Sequence, residues 1–116
     1  MTTNYILMEK DSIALRDYLK PIIANGENEV VFEKADGSVR VLKCTRDPEI
    51  IGVELFEKYT NPPPKKDGKP RVESTSSLPV FDLESKSWKS FSFVKLISVN
   101  GINTDTILEQ ANIILI

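Results

Sequence analysis

Residues 29–45, EVVFEKADGSVRVLKCT, constrain this chain more than any other stretch. Two runs rich in Val, Phe and Leu flank an Asp36-Gly37 pair, and such a pair tolerates the positive φ angles of turns whose twist matches antiparallel strands. A hairpin is therefore expected over 29–45. With a two-residue type I′ turn, Ala35 faces Ser38, Glu33 faces Arg40, Phe32 faces Val41 and Val31 faces Leu42. That register puts Val30, Phe32, Val39 and Val41 on one face, while Val31, Leu42 and Cys44 share the other with Glu33 and Arg40. A strand pair that is apolar on both faces needs cover on both. A small antiparallel barrel supplies it, with one face filling the interior and a helix against part of the other.

The helix is read from a change of period. Ile13, Leu15, Tyr18, Leu19, Ile22 and Ile23 follow mostly three- and four-residue spacings, so one face is buried. Asp11 or Ser12 suits the cap and Pro21 stops the regular helix near Lys20, which gives a helix over 12–20 closed by Asn25-Gly26. Before it, NYILM at 4–8 is too short for a helix and reads as a strand or extended arm. Residues 47–58 carry Asp47, Glu49, Glu54 and Glu57 against Lys58, whereas 61–71 carry Lys65, Lys66, Lys69 and Arg71 against Asp67. Three consecutive prolines at 62–64 favour extended backbone, so 60–77 is expected to be an exposed loop.

Strands return over 78–99, where LPVFDL and WKSFSFVKLISV pair around residues 84–87. Phe91, Phe93, Ile97 and Val99 share one parity, Trp88, Val94 and Leu96 the other, and the long segment is expected to curve or break near Val94. Asn100-Gly101 ends it as a turn. In the C-terminal extension, 102–116, Thr106 to Glu109 matches a capping box before one helical turn. The terminal NIILI fits a helix end or a closing strand, and β propensity favours the strand.

Composition narrows the chemistry. The 116 residues are 41% hydrophobic and 28% charged, as expected of a single globular domain, 1–116, able to bury about two-thirds of its surface. There is no His, the side chain that most often serves as general base and metal ligand. No catalytic residue, metal site or cofactor is assigned, and the chain is read as a non-enzyme. Its one cysteine, Cys44, has no intrachain partner for a disulfide, which fits a reducing compartment, and in an apolar strand it reads as a small core hydrophobe. No stretch approaches the roughly 20 apolar residues of a membrane span, so no membrane partner is expected and the cytoplasm is the expected compartment.

Several residues together resemble a known family. They are Leu19 and Lys20; Phe32, Lys34, Asp36, Gly37, Ser38, Arg40, Cys44 and Thr45 in the hairpin; Pro48 and Glu49 after it; and Leu78, Pro79, Val80, Phe81, Asp82, Leu83, Trp88, Ser90 and Phe91. In their order they resemble the WYL-related, Sm-like SH3 barrels of small tailed-phage proteins, over roughly residues 13–99. The resemblance implies a mainly β fold with an N-terminal helix and a small SH3-like antiparallel barrel. It also implies a viral accessory setting in the host bacterial cytoplasm, and it carries over no catalytic residues. The sequence departs where the family often has Arg, with Lys89 after Trp88 and Ser92 after Phe91.

Two functions compete. A nucleic-acid or nucleotide-binding barrel would use Arg40, Lys43, Arg46, Lys89 and the loop cations Lys65, Lys66, Lys69 and Arg71. A net charge of −2 opposes it, because counterion release needs concentrated positive charge. Trp88 suits a stacking platform less well than a core position. A module that docks to a host or phage protein needs no such concentration, and the split charge of 47–71 supplies steering. Self-association into a homo-oligomer through the apolar termini is a further expectation.

Overall fold

In the computed structural model, which describes residues 7–60 and 75–113, the hairpin is made of β1 (Asn28–Glu33) and β2 (Val39–Thr45). Its turn is one residue longer than a type I′ turn. The Gly37 N–H donates to the Lys34 carbonyl at 2.9 Å and the Lys34 N–H to the Ser38 carbonyl at 2.7 Å, which leaves Ala35, Asp36 and Gly37 as the loop. Of these three, Gly37 alone takes a positive φ, 88°. A type I′ turn would ask Asp36 to take one as well, at a steric cost that the longer loop avoids. Asp36 is used differently: its carboxylate accepts from the Ser38 hydroxyl at 2.5 Å and the Ser38 N–H at 2.9 Å. Those bonds hold the Asp36 carboxyl below its ordinary pKa.

One extra loop residue turns β2 over. Val30 lies opposite Leu42, Val31 opposite Val41, Phe32 opposite Arg40 and Glu33 opposite Val39. The expected register is thus corrected by one position, and every β2 side chain moves to the other face. Leu42 and Cys44 are buried with Val30, while Val39 and Val41 remain 58% and 57% exposed. The Cys44 thiol, buried and beside the Asp82 charge, is pushed up to about 12.

Around the hairpin stand α1 (Glu9–Ile23), α2 (Pro48–Ile51), α3 (Val53–Thr60), β3 (Ser77–Asp82), β4 (Ser87–Ser92), β5 (Leu96–Val99), β6 (Ile102–Asn103) and α4 (Thr104–Gln110). All six strands pair antiparallel in one sheet, ordered β4-β3-β2-β1-β5-β6. A 3₁₀ turn at Phe93–Lys95 separates β4 from β5, where the break near Val94 was expected, and lets β5 cross back to β1. The turn also resets the parity, so that Leu96 rather than Ile97 joins Phe91, Phe93 and Val99 in the core. The sheet is strongly curled. Flat strands three places apart would lie about 14 Å apart, yet the rings of Phe32 on β1 and Phe91 on β4 stack at 6.0 Å, and Phe93 meets Phe91 edge-on at 6.0 Å. Among the described residues no pairing joins β4 to β6, so the barrel is not closed.

The concave side is sealed by helices. Leu15, Leu19 and Ile23 form a fully buried stripe at four-residue spacing on α1, and the adjacent Ile107 and Leu108 bury the inner side of α4. The first helix is longer at both ends than the expected 12–20. It begins after Met8, whose carbonyl accepts from Asp11 and Ser12, and Ser12 is a buried helical residue rather than the cap. It passes through Pro21, which lies on the exposed face in the last turn, and its final carbonyls are met by donors from outside the helix. Arg46 N–H and the Asn28 amide reach the Ile23 carbonyl, and the Asn25 amide reaches that of Pro21. At the other terminus Asn103, not Thr106, caps α4 by accepting from the Thr106 N–H. Asn112 at φ 58° and Ile113, whose N–H reaches the Leu108 carbonyl, close α4 in a Schellman motif. Asn112 and Ile113 therefore end a helix rather than start the favoured strand; 114–116 lie outside the described residues, as do residues 4–6 of NYILM.

Candidate functional site

Among the described residues, the cations singled out in the sequence do not converge. Arg40 lies on the core-facing side of β2, with its guanidinium Nη2 3.5 Å from Oδ2 of Asp82. Asp82 is 1% exposed, and it also accepts from the Ser85 hydroxyl and from the N–H groups of Glu84 and Ser85. Burial pushes the Asp82 carboxyl up, but the Ser85 hydroxyl, the two backbone donors and Arg40 outweigh it and hold the carboxyl below its ordinary value. Arg46 is likewise engaged, donating through Nη1 to the Pro79 carbonyl at 2.5 Å. Lys89 stands opposite Val80 on the edge strand β4 and is exposed. Lys43 is exposed on the opposite side of the sheet, across from Glu29. Lys65, Lys66, Lys69 and Arg71 lie outside the described residues.

What the structure assembles instead is the convex side of the hairpin. Strand alternation and register place Glu29, Val31 and Glu33 of β1 beside Lys43, Val41 and Val39 of β2. Three rows result: a charged pair, Glu29 with Lys43; an apolar pair, Val31 with Val41; and Glu33 with Val39, where Lys95 Nζ sits 3.8 Å from the Glu33 carboxylate. β1 pairs with β2 along its whole length and with β5 from Val30 to Phe32, whereas β3 joins β2 only at Cys44 and Thr45, so Val39 and Val41 are held by their pairing with β1. Sequence reading found the valines but assigned Val39 and Val41 to the wrong side. Trp88 packs on the same convex side, edge-on to Phe81 with centroids 5.8 Å apart.

No group of three or more His, Cys, Asp and Glu side chains among the described residues is placed to hold a metal ion. No helix among them is long and apolar enough to cross a membrane. The arrangement offers recognition chemistry: exposed β-branched side chains on a rigid face, bordered by charges of both signs.

Comparison with known proteins places the sequence. Residues 16–97 match the family described as WYL_2, Sm-like SH3 beta-barrel fold. The chain is also similar to the "Uncharacterized 11.5 kDa protein in Gp31-cd intergenic region" of Enterobacteria phage T4, at 39% identity over 103 residues covering 89% of this chain and 94% of the phage protein. No solved structure matches.

Proposed function

The chain belongs to the WYL_2 family of Sm-like SH3 β-barrels as a small phage protein, and from that premise we propose that it is a non-enzymatic accessory module that docks to a host or phage protein in the host cytoplasm. The observation that carries this reading is the exposed Val39 and Val41 pair on the central strands of the sheet. Large apolar side chains held open on a paired strand favour a partner that buries them. The nucleic-acid reading has less support among the described residues, where Arg40 is held by a buried carboxylate and Arg46 by a backbone carbonyl, and Lys43 and Lys89 stand on opposite sides of the sheet.

The test is affinity capture from infected-cell lysate with the full chain and with a Val39→Ser/Val41→Ser variant, each with and without nuclease. The expected result is one protein retained by the unaltered chain after nuclease treatment and lost by the variant, whose thermal melt stays close to that of the parent. Binding measured with that protein in purified form then has to show the same loss. Capture that disappears with nuclease would transfer the function to nucleic acid.

A further inference from the structure

Resting on the docking reading just given, we infer that the convex face of the hairpin takes a second copy of this chain, in a two-fold dimer whose axis runs parallel to β1 and β2 and between them. The argument is one of charge and symmetry. In an isologous contact each surface meets itself, so a face is suited to it only if some two-fold axis brings its unlike groups together. Two in-plane axes are available to a strand pair. An axis perpendicular to the strands reverses each column end for end and sets Glu29 of one copy over Glu33 of the other, a like-charge contact. An axis along the strands exchanges the columns instead. It sets Glu29 over Lys43, Val31 over Val41, and Lys43 over Glu29 of the second copy, so that both charged contacts are attractive and the valines meet at the centre. At the third row Glu33 meets Val39 of the second copy, and Glu33 brings its own counter-ion, Lys95. The axis along the strands also keeps strand directions aligned across the contact, the arrangement in which twisted sheets stack face to face.

The footprint is small. Three valines a side fall short of the roughly 800 Å² per partner of a standard interface, so the dimer is weak and its population depends on concentration. The same face can then be released to a different protein by mass action, which is how a docking surface and a self-contact share residues.

Sedimentation velocity on the purified full chain, from micromolar to near-millimolar concentration, decides the matter. A reversible monomer–dimer equilibrium is expected. Lys43→Glu and Glu29→Lys each break two symmetry-related contacts and should each weaken dimerisation by about tenfold or more, whereas the double exchange Glu29→Lys/Lys43→Glu restores both contacts and should return the dimer. Val41→Asp should leave only monomer. Circular dichroism melts of each variant check that the fold persists, and the exchange variant guards against loss of dimer through misfolding. A chain that is monomeric throughout overturns the inference, as does an oligomer indifferent to these residues. If the chain is monomeric but Val39→Ser/Val41→Ser still abolishes capture of a different protein, the dimer fails and the docking reading stands; if capture is indifferent to those valines, the docking reading itself fails.

Discussion

The register of the hairpin makes a quantitative prediction, because neighbouring residues on one strand should respond oppositely to truncation. Leu42 is 2% exposed, and Leu42→Ala removes three buried carbons, about 2.4 kcal/mol at roughly 0.8 kcal/mol each. Incomplete collapse of the cavity raises this to about 3 kcal/mol. An unfolding entropy of about 2.1 cal/mol/K per residue over this chain gives roughly 0.24 kcal/mol/K, so the melting temperature should fall by about 12 °C. Val41 is 57% exposed, and Val41→Thr keeps the β-branch while exchanging a largely hydrated methyl for a hydroxyl. Its cost should stay below about 0.5 kcal/mol, or roughly 2 °C. Thermal melts at low protein concentration, where the self-contact is unpopulated, read both values directly. With the hairpin slipped by one residue the order reverses, so a costly Val41→Thr beside a mild Leu42→Ala would refute the structure's central pairing.

Three further outcomes follow from particular groups. Gly37→Val meets no atom within 4 Å of the added Cβ, so its whole cost is backbone strain at φ 88°, about 1 kcal/mol or more; an unchanged melt would show that the loop does not need a left-handed residue. The Asp82 carboxyl titrates below its unfolded value of about 3.9, so its stabilisation is present above that pH and is lost as pH falls through the lower folded value. Urea unfolding of the parent and Asp82→Asn should therefore show a clear gap at neutral pH that narrows in acid, and a gap independent of pH would contradict the ion pair and its hydrogen bonds. Finally, with its thiol pushed up to about 12 and its side chain buried, Cys44 should resist thiol-specific reagents in the folded protein at neutral pH and react once denaturant is added; rapid native-state labelling would mean the strand opens.

Much of the architecture was legible because it is local. The stripe of Leu15, Leu19 and Ile23 follows from helical period, and the break at Phe93–Lys95 from an apolar run too long for one flat strand. What eluded sequence reading turned on the partners of single residues, some local and some distant. Pro21 is a valid stop signal, but it lies on the exposed face in the last turn, and the helix runs on to Ile23, whose carbonyl is met by Arg46, just after β2, and by Asn28 of β1. Asp36-Gly37 is a valid turn signal for two loops of different length. The discriminating detail was Ser38, whose N–H and hydroxyl both bind Asp36 and favour the longer loop. Choosing the shorter loop inverted β2 and hid the convex valines. For the cations, residue type alone could not reveal that Arg40 faces a buried carboxylate formed at the β3–β4 turn.

The distribution of cover around the sheet connects these details to recognition. Both terminal helices, α1 and α4, lie on the concave side and complete one core with Phe91 and Phe93. The convex side of β1 and β2 keeps Val39 and Val41 open, on the stretch of β2 that pairs with β1 and lies ahead of its junction with β3 at Cys44 and Thr45. Paired with Glu33 and Val31 of β1, these valines sit on ordered backbone, so less conformational entropy is lost when a partner arrives. On the docking function proposed above, Glu29 and Lys43 at the border of these valines would set which partner, and which orientation, they accept.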